Sequence, residues 1–208
     1  MIEVHHLNNS RSHRVLWLLE ELLVPYEVVR YERDPATMLA PPELKKIHPL
    51  GKSPVIRDGE LVLAESGAIL KYLLHTYSAH TLVPPQDTLA HLHYLYWFNF
   101  AEGSAMPPLL LKLYLTRAGE SAAPLLKNVD AQLSEMLDFM EAQLTGPYFS
   151  GAEFSAADIQ MSFPLLVAVA RAGLNESRPR LWQLLGRLRN REAYQRAEER
   201  GGPLTLGK

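Results

Sequence analysis

A chain of 208 residues, 47% hydrophobic and 21% charged, can bury a substantial core as one large domain or two small ones. A formal net charge of −2 gives no electrostatic reason to expect nucleic acid or an anionic membrane as a partner. With no cysteine there is no disulfide, no thiolate-bound metal and no thiol nucleophile, so thiol chemistry here must use a thiol brought by a ligand.

Met1-Ile2-Glu3-Val4 lacks the basic-then-apolar pattern of a secretory signal, so a cytoplasmic location is expected. Ile2 to His6 alternates weakly and predicts a first strand. From Arg14 on, Val15, Leu18, Leu19 and Leu22 recur at the spacing of one helix face, and Val24-Pro25 ends the helix. Arg11 and the Glu20-Glu21 pair read as solvated helix surface. Tyr26 to Tyr31 predicts a second strand, which closes a βαβ unit with parallel strands and a right-handed crossover. Asp34 to Lys46 is polar and proline-rich, with room for a short helix after Pro42. Pro54-Val55-Ile56 and Leu61-Val62-Leu63 flank Asp58-Gly59, a strong hairpin signal. A helix with Ala68, Ile69, Tyr72 and Leu73 on one side follows. The order β-α-β then β-β-α predicts one mixed four-stranded sheet with helices packed on it.

After Tyr77 the texture changes. Residues 79–87, with Pro84-Pro85, read as a linker between an α/β domain at 1–78 and an all-helical domain at 88–208. Leu89 to Arg117 is one long helical pattern, kinked near Pro107-Pro108. Ala123 to Leu144 is another, broken by Thr145-Gly146-Pro147. Ser155-Ala156-Ala157-Asp158 reads as a capping box that opens a buried helix to about Ala172. The apolar run at 164–170 is far short of the roughly 20 residues that span a bilayer. Leu181 to Arg200 offers one or two more helices.

The chemistry concentrates in His48-Pro49-Leu50-Gly51-Lys52-Ser53-Pro54-Val55-Ile56 and in the Glu65-Ser66 pair. A cis Ser53–Pro54 bond turns the Ser53 amide and carbonyl outward, where they can pair with a bound peptide as a strand would. Glu65 and Ser66 open a helix, whose free N–H groups and positive dipole end accept a carboxylate. Together they describe a receptor for a small acidic peptide. The histidines at 5, 6, 91 and 93 have no third ligand at a fitting spacing, so no metal is expected.

With Ser10-Arg11-Ser12-His13-Arg14, the Pro54 loop, Glu65-Ser66 and Ser155 to Asp158 in this order, the chain resembles a glutathione S-transferase of the cytosolic superfamily, serine-type and bacterial, over nearly its whole length. The resemblance implies a thioredoxin-like domain that binds glutathione, a helical domain that shapes the second-substrate pocket, and a homodimer without nucleic-acid or membrane partners. It implies a transferase that activates the glutathione thiol for attack on a small hydrophobic electrophile, and also the capacity to reduce hydroperoxides. Serine-type members carry a serine after the first strand, four residues before an arginine; Ser10 and Arg14 match, so Ser10 is the implied catalytic hydroxyl and Ser12 the competing choice. The implied glutathione contacts are Asn9, Lys52, Ser53, Pro54, Glu65 and Ser66. Phe100, Met106 and Tyr114 are candidates for the electrophile pocket, with helix core as the other reading of them. The competing function is a non-catalytic protein-binding module of the same fold, but such relatives tend to lose the residues retained here.

Overall fold

The computed structural model describes residues 1–78 and 81–206. The expected linker therefore begins, and the expected helical domain ends, with residues outside the described set.

The sheet has the order β2-β1-β3-β4. Strand β1 (Ile2–Leu7) pairs in parallel with β2 (Tyr26–Tyr31), from Ile2 opposite Tyr26 to Leu7 opposite Tyr31. On its other side β1 pairs antiparallel with β3 (Val55–Asp58), which turns through Gly59 at φ +58° into β4 (Leu61–Ala64). Helix α1 (Ser12–Glu21) is the crossover, and α2 (Leu44–Ile47) is a single turn in the proline-rich loop. Helix α3 (Ser66–Tyr77) packs against α1 and the hairpin, burying Ile69, Leu70 and Leu73. The core of this unit is Val4, Leu16, Trp17, Val55, Ile56 and the α3 residues.

The described residues divide into two compact units, one built from the first 82 residues with Arg189–Thr205, the other from Val83–Leu188 with Leu206. This differs from a helical domain running unbroken from residue 88: the last helix, α9 (Glu192–Gly201), packs on α1 and β2 in the first unit. That packing also corrects the reading of Glu20 and Glu21 as solvated. Glu20 is 8% exposed and accepts from Arg196 Nε at 2.8 Å, Arg200 Nη1 at 3.3 Å and the Tyr26 hydroxyl at 2.7 Å. Glu21 takes Arg191 in a two-pronged bond at 2.6 and 2.9 Å, and Trp17 Nε1 at 2.8 Å. The Arg200 guanidinium also lies 3.7 Å from the Tyr26 ring centroid. Gly201 permits the close approach: a Cβ there would stand 2.5 Å from Leu16 Cδ1.

Burial alone would push the Glu20 carboxyl up, but the hydrogen bonds from Arg196, Tyr26 and Arg200 outweigh it and hold it below its ordinary value. A folded-state value below the unfolded one adds stability above the unfolded value and loses it as pH falls. Wild type should therefore lose stability below about pH 4.3, and Glu20→Gln should lack that slope while being about 1.5–3 kcal/mol less stable at neutral pH. Thermal unfolding across the acid range checks both.

The second unit is helical: α4 (Leu89–Phe100), α5 (Met106–Ala118), α6 (Ala123–Gln143), α7 (Ala156–Arg171) and α8 (Pro179–Arg189). The kink expected at Pro107-Pro108 takes the form of a π-helical turn at Ala101–Ala105 between α4 and α5. The prolines have no N–H to give to the preceding turn, and the wider π turn accommodates that loss. Helix α7 is buried along most of its length and packs against α4 and α5. Among the described residues, no helix is long and apolar enough to cross a membrane.

Candidate functional site

The Ser53–Pro54 bond is cis. The Ser53 hydroxyl donates to the His5 carbonyl at 2.9 Å and accepts from the Leu7 amide at 3.2 Å, so the loop is stitched to the end of β1. Pro54 is buried and Lys52 exposed. Gly51, before Lys52, has φ +57°, and a Cβ on it would stand 2.7 Å from Lys45 Cγ. Only glycine makes this turn without moving that side chain.

At the start of α3, Glu65 is exposed and held at φ +71°, ψ +112°, a strained conformation for a residue with a side chain. Ser66 is buried as the first residue of the helix, beside its free N–H groups. Its Oγ accepts from Arg14 Nη1 at 3.2 Å. Arg14 is fully buried in α1, every residue of which from Ser12 to Glu20 is buried. Arg14 thus ties the start of α1, where Ser10 sits, to the start of α3. Sequence reasoning used Arg14 only as a spacing marker. The available signal was a permanently charged side chain directly beside the apolar face of α1, which burial makes costly without partners.

Ser10 is 5% exposed and lies just before Arg11, the N-cap residue of α1. Its Oγ lies 2.7 Å from Ser12 Oγ and accepts from the Ser12 amide at 3.2 Å. Ser12 is fully buried, and its Oγ lies 2.8 Å from His6 Nδ1, so the competing serine stands behind Ser10. Burial pushes His6 down to about 4 and His13 to about 3, so both rings are neutral at pH 7. Asn9 has φ +51°, and its amide oxygen accepts the Thr205 N–H at 2.8 Å, which leaves the NH2 end as its donor.

Phe100, Met106 and Tyr114 fall into different surroundings. Met106 is 2% exposed and is core. Phe100 stacks in an aromatic cluster with Tyr96, Trp97 and Phe139, while Tyr114 is 62% exposed. Among the described residues, no three His, Asp or Glu side chains group closely enough to hold a metal ion.

Residues 1–75 match the family model of the glutathione S-transferase N-terminal domain, and residues 104–192 that of the C-terminal domain. The chain is 36% identical to glutathione S-transferase 1 of Saccharomyces cerevisiae, over 98% of this chain and 97% of the relative. Among solved structures, a glutathione S-transferase from Actinobacillus pleuropneumoniae superposes with a TM-score of 0.89 at 35% identity, covering 98% of this chain and 94% of its own. A glutathione transferase homologue from Sulfitobacter, solved with bound glutathione, shares the fold at a TM-score of 0.82 and 24% identity, covering 97% and 98%.

Proposed function

Because this chain belongs to the glutathione S-transferase family and is a glutathione transferase, we propose that Ser10 is the group that activates the thiol. The observation that carries the reading is the Arg14–Ser66 bond, which ties α1, just after Ser10, to the α3 N-terminus, while Ser53 is fixed to the end of β1, the strand that leads to Ser10. Three serines that approach through different elements are thereby held by one small unit.

Glu65 and the α3 N-terminus take the amine and carboxylate of the γ-glutamyl end, the Ser53 backbone pairs with the cysteinyl residue beside Pro54, and Lys52 meets the glycyl carboxylate. Asn9 offers its NH2 end beside Ser10. A free thiol near 8.5 is mostly protonated at neutral pH. A hydrogen bond donated by Ser10 and the positive end of α1 both favour the thiolate. The thiol proton leaves to water, and a sulfur electron pair forms the bond to the electrophilic carbon as the bond to its leaving group breaks, or as a ring or double bond opens and the released electron pair takes a proton from water. Phe100 and Tyr114, which keep accessible surface, remain candidates for contact with a small hydrophobic electrophile. Hydroperoxide reduction and a cytoplasmic setting are compatible with the same site.

Glu65→Ala removes an ionic partner and should weaken glutathione binding by about 1.5–3 kcal/mol, roughly 10- to 150-fold in Kd. Titration calorimetry measures it, and an unchanged Kd would remove Glu65 from the site.

The assembly is proposed to be a C2 homodimer that uses α3 and α4. Leu89, Leu92 and Tyr96 form an exposed stripe on α4, at 67%, 60% and 49% exposure, which supports an apolar interface. Light scattering at micromolar concentration should give twice the chain mass of 23.5 kDa, and a monomer counts against the pairing.

A further inference from the structure

Behind the Ser10 hydroxyl lies a line of polar groups that the chemistry above does not use. Ser10 Oγ is 2.7 Å from Ser12 Oγ, which is 2.8 Å from His6 Nδ1 and 3.3 Å from the Leu7 carbonyl. All three side chains are buried. A hydroxyl has one hydrogen and a neutral imidazole one N–H, so the direction of the line follows from counting. The far edge of His6 faces α9: a Cβ on Gly201 would stand 3.3 Å from Nε2. The Gly201 backbone favours the protonated ring, and Nε2 is the ring nitrogen on that edge, which points to Nε2 as the one that carries the hydrogen. Nδ1 is then an acceptor. Ser12 gives its hydrogen to Nδ1, and Ser10 gives its hydrogen to Ser12. The Leu7 carbonyl can only accept, so it shares the Ser12 hydrogen with Nδ1 and in either case leaves Ser12 Oγ as the acceptor toward Ser10. In the free protein the Ser10 hydrogen points inward and its oxygen faces outward as an acceptor.

We propose that Ser12, held by His6, is a positioning residue that sets the acidity of the bound thiol by competing with the sulfur for the single Ser10 hydrogen. The proposal rests on Ser10 being the partner of the thiol. The arriving thiol donates its S–H to Ser10 Oγ. On ionisation the S–H bond breaks, the proton leaves to water and the electron pair stays on sulfur. The Ser10 hydrogen then swings outward to the thiolate, and Ser12 Oγ loses the bond it was accepting. Thiol acidity is thereby linked, through His6 and Gly201, to the seating of α9 on α1. Burial holds His6 at about 4, with Arg30 also disfavouring charge on it, so it stays neutral throughout the range in which the thiol titrates.

The test is the ultraviolet thiolate absorbance of glutathione bound to wild type, Ser10→Ala, Ser12→Ala and the double variant, titrated against pH. Ser12→Ala should lower the pKa of the bound thiol by about 0.5–1 pH unit, the worth of one ordinary hydrogen bond, which is roughly a 3- to 10-fold gain in the thiolate-to-thiol ratio. Ser10→Ala should raise it, and the double variant should titrate as Ser10→Ala does. Ser12→Thr keeps the hydroxyl and should titrate as wild type. If Ser10→Ala raises the value but Ser12→Ala leaves it unchanged or raises it too, the competition is overturned and the role of Ser10 stands. If Ser10→Ala titrates as wild type, both readings fall. Independently of any variant, ring nitrogen-15 NMR of unliganded wild type should find the His6 hydrogen on Nε2; a hydrogen on Nδ1 would turn the Ser12 hydrogen to the Leu7 carbonyl and overturn the part of His6 and the link to α9.

Discussion

Ser10→Ala should lower kcat/KM at neutral pH by about 10- to 100-fold while glutathione affinity changes little. Removing one positioned donor from a developing anion costs on the order of 100-fold or more in a dry site. The smaller end is expected because the positive end of α1 also favours the thiolate, and in the proposed site the Asn9 NH2 shares the charge. The bound thiol should move back toward its solution value near 8.5. The deficit should therefore shrink as pH rises through that value, because the thiolate then forms without help. A pH profile of kcat/KM separates this from a folding defect, which would depress activity at every pH. A deficit that stays constant with pH, with an unchanged thiol titration, would shift the role to Asn9 or Ser12.

Asp158→Ala should be the most destabilising single change in the helical unit. Asp158 has no exposed surface and opens α7. Its carboxylate accepts from the Phe149 amide at 2.9 Å, the Ser155 amide at 2.9 Å and the Ser155 hydroxyl at 3.0 Å. Burial pushes the carboxyl up to about 6, against these bonds, so it is ionised at pH 7 and held by them. Truncation leaves two buried N–H groups without an acceptor and frees the loop that seats Phe149 against Trp97, with ring centroids 4.5 Å apart. The expected loss is about 3–5 kcal/mol, or roughly 10 °C in Tm for a chain of this size. Asp158→Asn should fall between, because its NH2 group meets the Ser155 N–H donor to donor. Calorimetry measures both, and a Tm within about 2 °C of wild type would make the cap incidental.

Much of the architecture was legible in residues close together in the chain. The apolar spacing from Val15 to Leu22, the Asp58-Gly59 turn and the Ser155-to-Asp158 box are short-range signals, and each became the predicted element. The Ser53–Pro54 loop and the Glu65-Ser66 helix start were legible for the same reason, since turn chemistry and capping act within a few residues. The depth of Arg14 and the line from Ser10 through Ser12 to His6 were not. Side chains six residues apart at a strand end and a helix start meet only once β1 and α1 have docked. The burial of Glu20 was hidden most completely, because its partners Arg196 and Arg200 lie 176 and 180 residues away. A charged pair on a helix reads as solvated by every local rule. Whether it stays in water depends on whether another element supplies opposite charge and excludes the solvent, and only the packing of α9 on α1 decided that.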